Sequence, residues 1–328
     1  MPRDRFGREI NYLRISLIDH CNLRCVYCMP LTGAPSAPSA NLLTPAEIEL
    51  VARASLAVGF RRIRLTGGEP TLRADLLEIV GRLAGLSGLE DLALTTNGIL
   101  LPRLAPELAR AGLRRVNVHL DSLDPERLAR VMRFGTFEDI WAGILAAEAA
   151  GLRPIKLNAV VVRGYNEEDV TALAELTRTH DWHVRFIELM PLGVGEPAEV
   201  SRRAYVSNAE TRARIEAALG PMDALPVVDA ADESRNYRLA GASGTVGFIS
   251  PVSEPYCGTC NRMRLTADGK FHLCLLNDDE CDVRAALRRG GLQAVAEILL
   301  AAVSAKPIGH ALHTGHTIER REMFQLGG

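Results

Sequence analysis

Short runs in which apolar and polar residues alternate, each followed by a stretch where apolar residues recur every three or four positions, fill the chain from Tyr12 to Met190. The first kind of run reads as strand and the second as amphipathic helix. Strands are predicted at 13–18, 61–66, 91–96, 115–120, 154–162 and 184–189. Helices are predicted at 45–58 behind a Thr44 N-cap, then at 73–83, 101–111, 125–132 with 137–150, and 167–179. Six strand–helix repeats imply right-handed crossovers and a parallel sheet, either doubly wound or curved into a barrel. The polar sides of the strands decide for the barrel. Arg14 shares a face with Ser16, Arg64 with Thr66, Thr95 with Asn97, Asn117 with His119 and Asp121, and Lys156 with Asn158. A parallel strand covered on both faces would be apolar throughout. Five strands with a polar side, although some of these residues would serve equally as ordinary strand ends, point to a wet cavity at the C-terminal end of a barrel.

The alternation stops after Met190, and 191–199 reads as a linker. A helix at 208–219 follows, then strands at 237–240, 245–251, 262–266 and 270–275, and helices at 283–289 and 292–304. The turn Ala267-Asp268-Gly269 suits a hairpin between the last two strands. The expected architecture is therefore α/β, with a partial six-stranded barrel over 1–195 and an α+β region over 196–328. The stretch 31–43, rich in Ala, Pro and Ser, reads as a mobile loop, either a lid or slack.

Composition narrows the function. A chain of 328 residues with 47% hydrophobic and 24% charged content buries a sizeable core, and no apolar run approaches bilayer length. The charged start, 1–10, lacks the apolar stretch of a secretory signal, so a cytoplasmic protein without a membrane partner is expected. A net charge of −2 argues against nucleic acid as a partner. Only Lys156, Lys270 and Lys306 among 38 basic residues are lysine, which marks Lys156, inside a strand pattern, for its chemistry.

Seven cysteines in a reducing compartment suggest metal or redox chemistry rather than bridges. Cys21, Cys25 and Cys28 are spaced to hold three corners of a cuboidal iron–sulfur cluster and leave one iron open. Zinc would want a fourth ligand, and only His20 is near. Cys257, Cys260 and Cys274 offer three thiols again, and with Cys281 or His272 they would make a zinc knuckle. Beside the first trio, a second iron–sulfur cluster with Cys281 as bystander is the better reading. Arg262 and Arg264 stand on one face of a strand, a spacing that suits phosphate or carboxylate, or simply a solvated face. His310, His313 and His316 lie among glycines and are weak metal candidates. No Gly-x4-Gly-Lys-Ser/Thr loop supports a conventional nucleotide switch.

The Cys-x3-Cys-x2-Cys run with Tyr27 before its last cysteine, placed after a first strand, resembles the radical S-adenosylmethionine enzymes, and Gly67-Gly68-Glu69-Pro70 resembles their methionine-binding loop. The resemblance implies a partial, six-stranded barrel and S-adenosylmethionine chelated to the open iron. It narrows further. Asp4-Arg5-Phe6-Gly7-Arg8, Tyr12 to Ser16, Cys28-Met29-Pro30, Arg64 to Pro70, Thr95-Thr96-Asn97-Gly98, Arg185 to Met190, the second trio with its Arg-x-Arg and Gly327-Gly328 occur in order. Together they resemble the GTP 3′,8-cyclases of molybdenum-cofactor biosynthesis along nearly the whole chain.

That resemblance implies two [4Fe-4S] clusters, on Cys21, Cys25 and Cys28 and on Cys257, Cys260 and Cys274, with S-adenosylmethionine against Tyr27, Gly68, His119 and Met190. GTP would meet Arg14, Arg64, Thr95, Lys156, Arg262, Met263 and Arg264, with Arg14, Arg262 and Arg264 in catalytic roles, and the terminal glycines would reach into the cavity. The implied activity is radical cyclisation of GTP to 3′,8-cyclo-7,8-dihydro-GTP. The implied partners are a cyclic pyranopterin monophosphate synthase downstream and a reductase or flavodoxin as electron donor, with a homodimer left open. Two positions depart from the family pattern: His119 stands where Ser is usual, and His20 where Arg or Lys is usual. Peptide modification by a related radical enzyme and a zinc-stabilised GTP-binding module are the alternatives.

Overall fold

The computed structural model describes residues 1–33, 41–193, 195–289, 291–310, 312 and 321–327. Most of the expected loop (34–40), His313, His316 and Gly328 lie outside them. Six strands appear where the alternation put them: β1 Tyr12–Ser16, β2 Arg62–Thr66, β3 Asp91–Thr96, β4 Arg115–His119, β5 Lys156–Val161 and β6 His183–Glu188. The helices between them are α1 Pro45–Ala57, α2 Leu76–Ala84, α3 Leu101–Arg110, α4 Pro125–Met132, α5 Phe137–Ala149 and α6 Val170–Thr179. Thr44 caps α1 as expected, accepting from the Glu47 amide at 3.2 Å while the Glu47 carboxylate accepts from the Thr44 amide at 2.8 Å. This reciprocal box satisfies two of the donors that every helix start leaves open.

The strands pair in parallel in the order of the chain. Leu13, Ile15, Ile63, Leu65, Leu94, Val116, Val118, Leu157, Val184 and Phe186 turn the other way and are all but completely buried in one hydrophobic core. At roughly 25 cal/mol per Å² of apolar surface, that face holds the barrel together and leaves the polar face free for chemistry.

The C-terminal half adds α7 Glu196–Arg203, α8 Asn208–Leu219, β7 Met222–Ala224, β8 Ser234–Leu239, β9 Thr245–Ile249, β10 Arg262–Leu265, β11 Lys270–His272, β12 Glu280–Asp282, α9 Arg284–Arg289, α10 Gly291–Ala305 and α11 Met323–Leu326. These strands lengthen the same sheet at both edges, giving the order β12-β11-β10-β1-β2-β3-β4-β5-β6-β9-β8-β7. β10 lies parallel to β1, and β9 parallel to β6. The expected 191–199 linker is corrected by α7. Gly195 at φ 60° starts that helix, Pro197 occupies its first turn, and Pro197 and Val200 are buried. No helix among the described residues is long and apolar enough to cross a membrane.

Candidate functional site

The cysteine loop leaves β1 and is fastened on two sides. The Arg24 and Val26 amides donate to the carbonyls of Met132 and Val131 at 3.0 and 2.9 Å, at the end of α4. On the other side the Gly68 and Glu69 amides donate to the carbonyls of Ile18 and His20 at 2.7 and 2.8 Å. Gly67 has φ +137°, and a Cβ there would lie 2.4 Å from the Ile18 oxygen, so the Gly-Gly pair is what permits this approach. Glu69 locks the arrangement: its carboxylate accepts from the Thr71 amide (3.0 Å), Thr71 Oγ1 (2.5 Å), Thr96 Oγ1 (2.7 Å) and the Asn97 amide (2.7 Å). Asn97 in turn donates to Asn22 Oδ1 at 2.8 Å, so the Thr-Thr-Asn-Gly motif ends up holding the loop of cysteines.

Tyr27, Gly68, His119 and Met190 all line one cavity, with Cys21, Cys25 and Cys28 beside them. Tyr27 Oη lies 2.9 Å from His119 Nε2 and donates to Asp121 Oδ2 at 2.8 Å. His119 Nε2 is also 2.9 Å from that carboxylate. Burial disfavours the imidazolium, but the charge and hydrogen bond of Asp121 outweigh it and raise the pKa of His119. The imidazole at this departing position is thus tied to Tyr27 and Asp121.

Across the cavity the register produces a row of cations. Arg14 of β1 sits directly opposite Arg264 of β10 on one side and Arg64 of β2 on the other. Like charges facing each other on adjacent strands repel. Glu233, just before β8, answers them: Oε1 lies 3.0 Å from Arg14 and 3.7 Å from Arg64, and the other oxygen accepts from Arg262. The charges of those arginines hold the carboxyl well below the usual carboxylate range, against burial. Arg185 of β6 donates to Asn158 Oδ1 at 2.9 Å, and Gly247 of β9 gives its stem room. Arg14, Arg64 and Arg262 each keep an Nε, and Arg185 an Nη2, buried and without an acceptor among the described residues. Four cavity-lining guanidiniums with unused donors fit an anionic ligand.

Thr95 lines the same cavity, where its hydroxyl accepts from Asn117 at 3.2 Å. Lys156 is half-buried on β5 and is not among the residues that line the cavity; burial together with the charges of Arg185, Arg115 and Arg64 lowers its pKa to about 7. Met263 faces away. It pairs in register with Leu13 and is buried in the core, so only its backbone is available on the cavity side.

Cys257, Cys260 and Cys274 also line the cavity. Burial would raise the Cys260 thiol, but Lys306 and Arg262 bring it to about 7, whereas burial drives Cys21 to about 12. Among the described residues no three His, Cys, Asp or Glu side chains close round a single metal ion. Three thiols in each trio, opening on one cavity, are a donor set suited to cuboidal clusters, whose ligands stand further apart. Cys281 packs against the core on β12, away from the cavity. His310 lines the cavity, with its Nε2 at 2.9 Å from the Pro251 carbonyl. The tail returns here too: Arg264 donates to the Leu326 carbonyl at 3.3 Å and to that of Gly327.

Several cavity groups lie outside the expected set. Arg185, Glu233, Tyr256, Lys306 and Phe324 line the space, which encloses about 280 Å3. Arg185 had a readable signal, since it falls on the polar face of a strand in the period-two pattern. Arg8 supports the second trio from outside, donating to the Cys257, Ile308 and Pro307 carbonyls at 2.7, 2.8 and 2.6 Å and to Asp4 at 2.6 Å.

Residues 15–177 match the model of the radical SAM superfamily, and residues 182–312 match Molybdenum Cofactor Synthesis C. The fold agrees with that class: the S-adenosylmethionine-bound SuiB of Streptococcus suis superposes with a TM-score of 0.62 at 14% identity, over 87% of this chain and 65% of that one. The GTP 3′,8-cyclase of Pelotomaculum thermopropionicum is 47% identical over 99% of this chain and 100% of its own. That of Moorella thermoacetica is 46% identical with the same coverage. The chain belongs to the GTP 3′,8-cyclase family of the radical SAM superfamily. As a radical SAM enzyme it uses S-adenosylmethionine with iron–sulfur clusters.

Proposed function

We propose that this enzyme converts GTP to 3′,8-cyclo-7,8-dihydro-GTP, an early step of molybdenum-cofactor biosynthesis. The observation that carries the reading is the in-register Arg264–Arg14–Arg64 row, lining one cavity together with two three-thiol groups. In this reading Cys21, Cys25 and Cys28 hold one [4Fe-4S] cluster, and Cys257, Cys260 and Cys274 the other. Tyr27, Gly68, His119 and Met190 hold S-adenosylmethionine. Bound there, the first cluster and S-adenosylmethionine would supply the radical chemistry that begins at the ribose 3′ position.

The chain's own residues position and shield. Arg14, Arg64, Lys156, Arg262 and Arg264 hold the triphosphate and place the ribose toward the first trio, Thr95 adds a hydroxyl, and the tail at Gly327 helps close the cavity to water. Arg14, Arg262 and Arg264 also stabilise charge during ring closure. The division expected at residue 195 separates the part that binds S-adenosylmethionine from the part that brings the second trio. A cyclic pyranopterin monophosphate synthase takes the product, a reductase or flavodoxin supplies electrons, and the setting is the cytoplasm. With GTP deuterated at the 3′ position, anaerobic turnover is expected to place deuterium in 5′-deoxyadenosine. Active enzyme that leaves 5′-deoxyadenosine unlabelled would refute the assignment.

Lys156 gives the reading a pH dependence. Its pKa of about 7 means that the free lysine loses its charge as pH rises through neutrality, whereas a bound phosphate favours the charged form. Affinity for GTP is expected to be flat below pH 7 and to fall up to about tenfold per unit above it. Lys156→Arg, which keeps its charge, is expected to flatten that slope. An identical slope in the variant, measured by equilibrium binding from pH 6 to 9, counts against a role for Lys156.

A further inference from the structure

The segment 226–233 turns its last residue, Glu233, inward against the arginine row. Its outer part is nearly uncovered, with Val227 60% and Val228 99% exposed. A turn follows in which the Ala231 amide donates to Asp229 Oδ1, and the Asp232 amide to the Asp229 carbonyl, both at 2.9 Å. Two attachments hold it to the barrel. Asp229 accepts from Arg62 at 2.6 Å, with both side chains close to two-fifths exposed. Such a solvent-exposed pair contributes little. The inner attachment is Glu233, 8% exposed, which contacts Arg14, Arg64 and Arg262, while the Ala231 carbonyl accepts from Arg262 at 2.6 Å.

A carboxylate and a phosphate present the same chemistry to a guanidinium fork. Glu233 therefore stands where an anionic substrate group would stand, on three of the arginines the proposed function assigns to GTP. Without an anion, those arginines would be buried like charges on neighbouring strands, an arrangement that costs several kcal/mol when a partner is removed. One carboxylate, at the point where this segment enters β8, can give way to a polyphosphate that brings more charge to the same forks.

We propose that Glu233 is a resident counter-ion that holds the arginine row in the nucleotide-free enzyme and is displaced by the substrate's phosphates, so that segment 226–233 is a strap over the substrate site. The proposal rests on the GTP reading. It makes Glu233 a positioning residue that competes with substrate, and it explains how so cationic a row stays ordered before substrate arrives.

The test is equilibrium binding of GTP and of inorganic tripolyphosphate to anaerobically reconstituted wild type, Glu233→Gln and Asp229→Asn. Glu233→Gln is expected to bind both ligands about tenfold more tightly. Asp229→Asn, which weakens the bond to Arg62 and leaves the contacts to Arg14, Arg64 and Arg262 in place, is expected to bind them about two- to threefold more tightly. Without ligand, Glu233→Gln is expected to melt below wild type and to gain more than wild type from tripolyphosphate. Equal or weaker binding by Glu233→Gln, while wild type binds, overturns the proposal. Should that variant not fold, unchanged or weaker binding by Asp229→Asn overturns it. A wild type that binds neither ligand refutes the GTP reading itself, a different result from either.

Discussion

Gly68→Ala is expected to lose the first cluster while the rest of the chain stays folded. A Cβ at Gly68 would lie 2.2 Å from the His20 carbonyl oxygen and 2.5 Å from its carbon, separations at which backbone must move. No flexible side chain is available to absorb the clash. The loop that would have to shift carries the Gly68 and Glu69 amides donating to Ile18 and His20, so the cysteine run loses its brace on that side. Overpacking of this kind costs more than about 2 kcal/mol and, here, displaces Cys21 relative to Cys25 and Cys28. Iron and labile sulfide are expected to fall to about half, and 5′-deoxyadenosine formation to stop. Gly81→Ala, in α2 with nothing within 4 Å of the added carbon, is the control and is expected to gain about 0.5–1 kcal/mol. Full iron content and activity in Gly68→Ala would show that the Gly-Gly turn does not set the cluster.

The barrel was legible because its chemistry is written at the period of a strand. Arg14, Arg64, Thr95, His119 and Lys156 stand on the polar side of otherwise apolar runs, and the cavity brings the first four together with Asn158, the neighbour of Lys156 on the same side of β5, while Lys156 itself is not among its lining residues. The same alternation in Arg262-Met263-Arg264 places Met263 on the opposite face, where it packs as core. Contacts between distant parts of the chain were not legible. Glu233 reads as one acid among Asp229, Asp232 and Glu233, a pattern that ordinarily means a solvated loop. Its burial follows from meeting Arg14, 219 positions earlier, which no local periodicity encodes. For α7 the local signals misled, since Gly193, Gly195 and Pro197 read as breakers, yet Gly195 and Pro197 open the helix and its apolar side is buried. The pairing of β9 and β10 with the barrel's two edges is likewise a long-range choice.

Arg8→Ala is expected to remove the second cluster and spare the first. Arg8 is 8% exposed and joins three pieces of chain, from Asp4 to the Cys257, Pro307 and Ile308 carbonyls. One of those carbonyls belongs to a cysteine of the second trio, and the 307–308 turn lies beside it, since a Cβ on Gly309 would come within 3.2 Å of Cys257 Sγ. Truncation leaves Asp4 as a buried carboxylate without its cation and frees three carbonyls at once, a loss of about 3–5 kcal/mol concentrated at Cys257. Arg8→Lys is expected to rescue little, because a single ammonium nitrogen cannot span donors that a planar fork sends to separate strands of chain. Both variants should keep about half of the iron and sulfide and should still bind S-adenosylmethionine, while GTP-dependent cyclisation is lost. Arg8→Ala enzyme with full iron and unchanged turnover would mean that Cys257 is held by the metal centre alone, with the amino-terminal segment only resting against it.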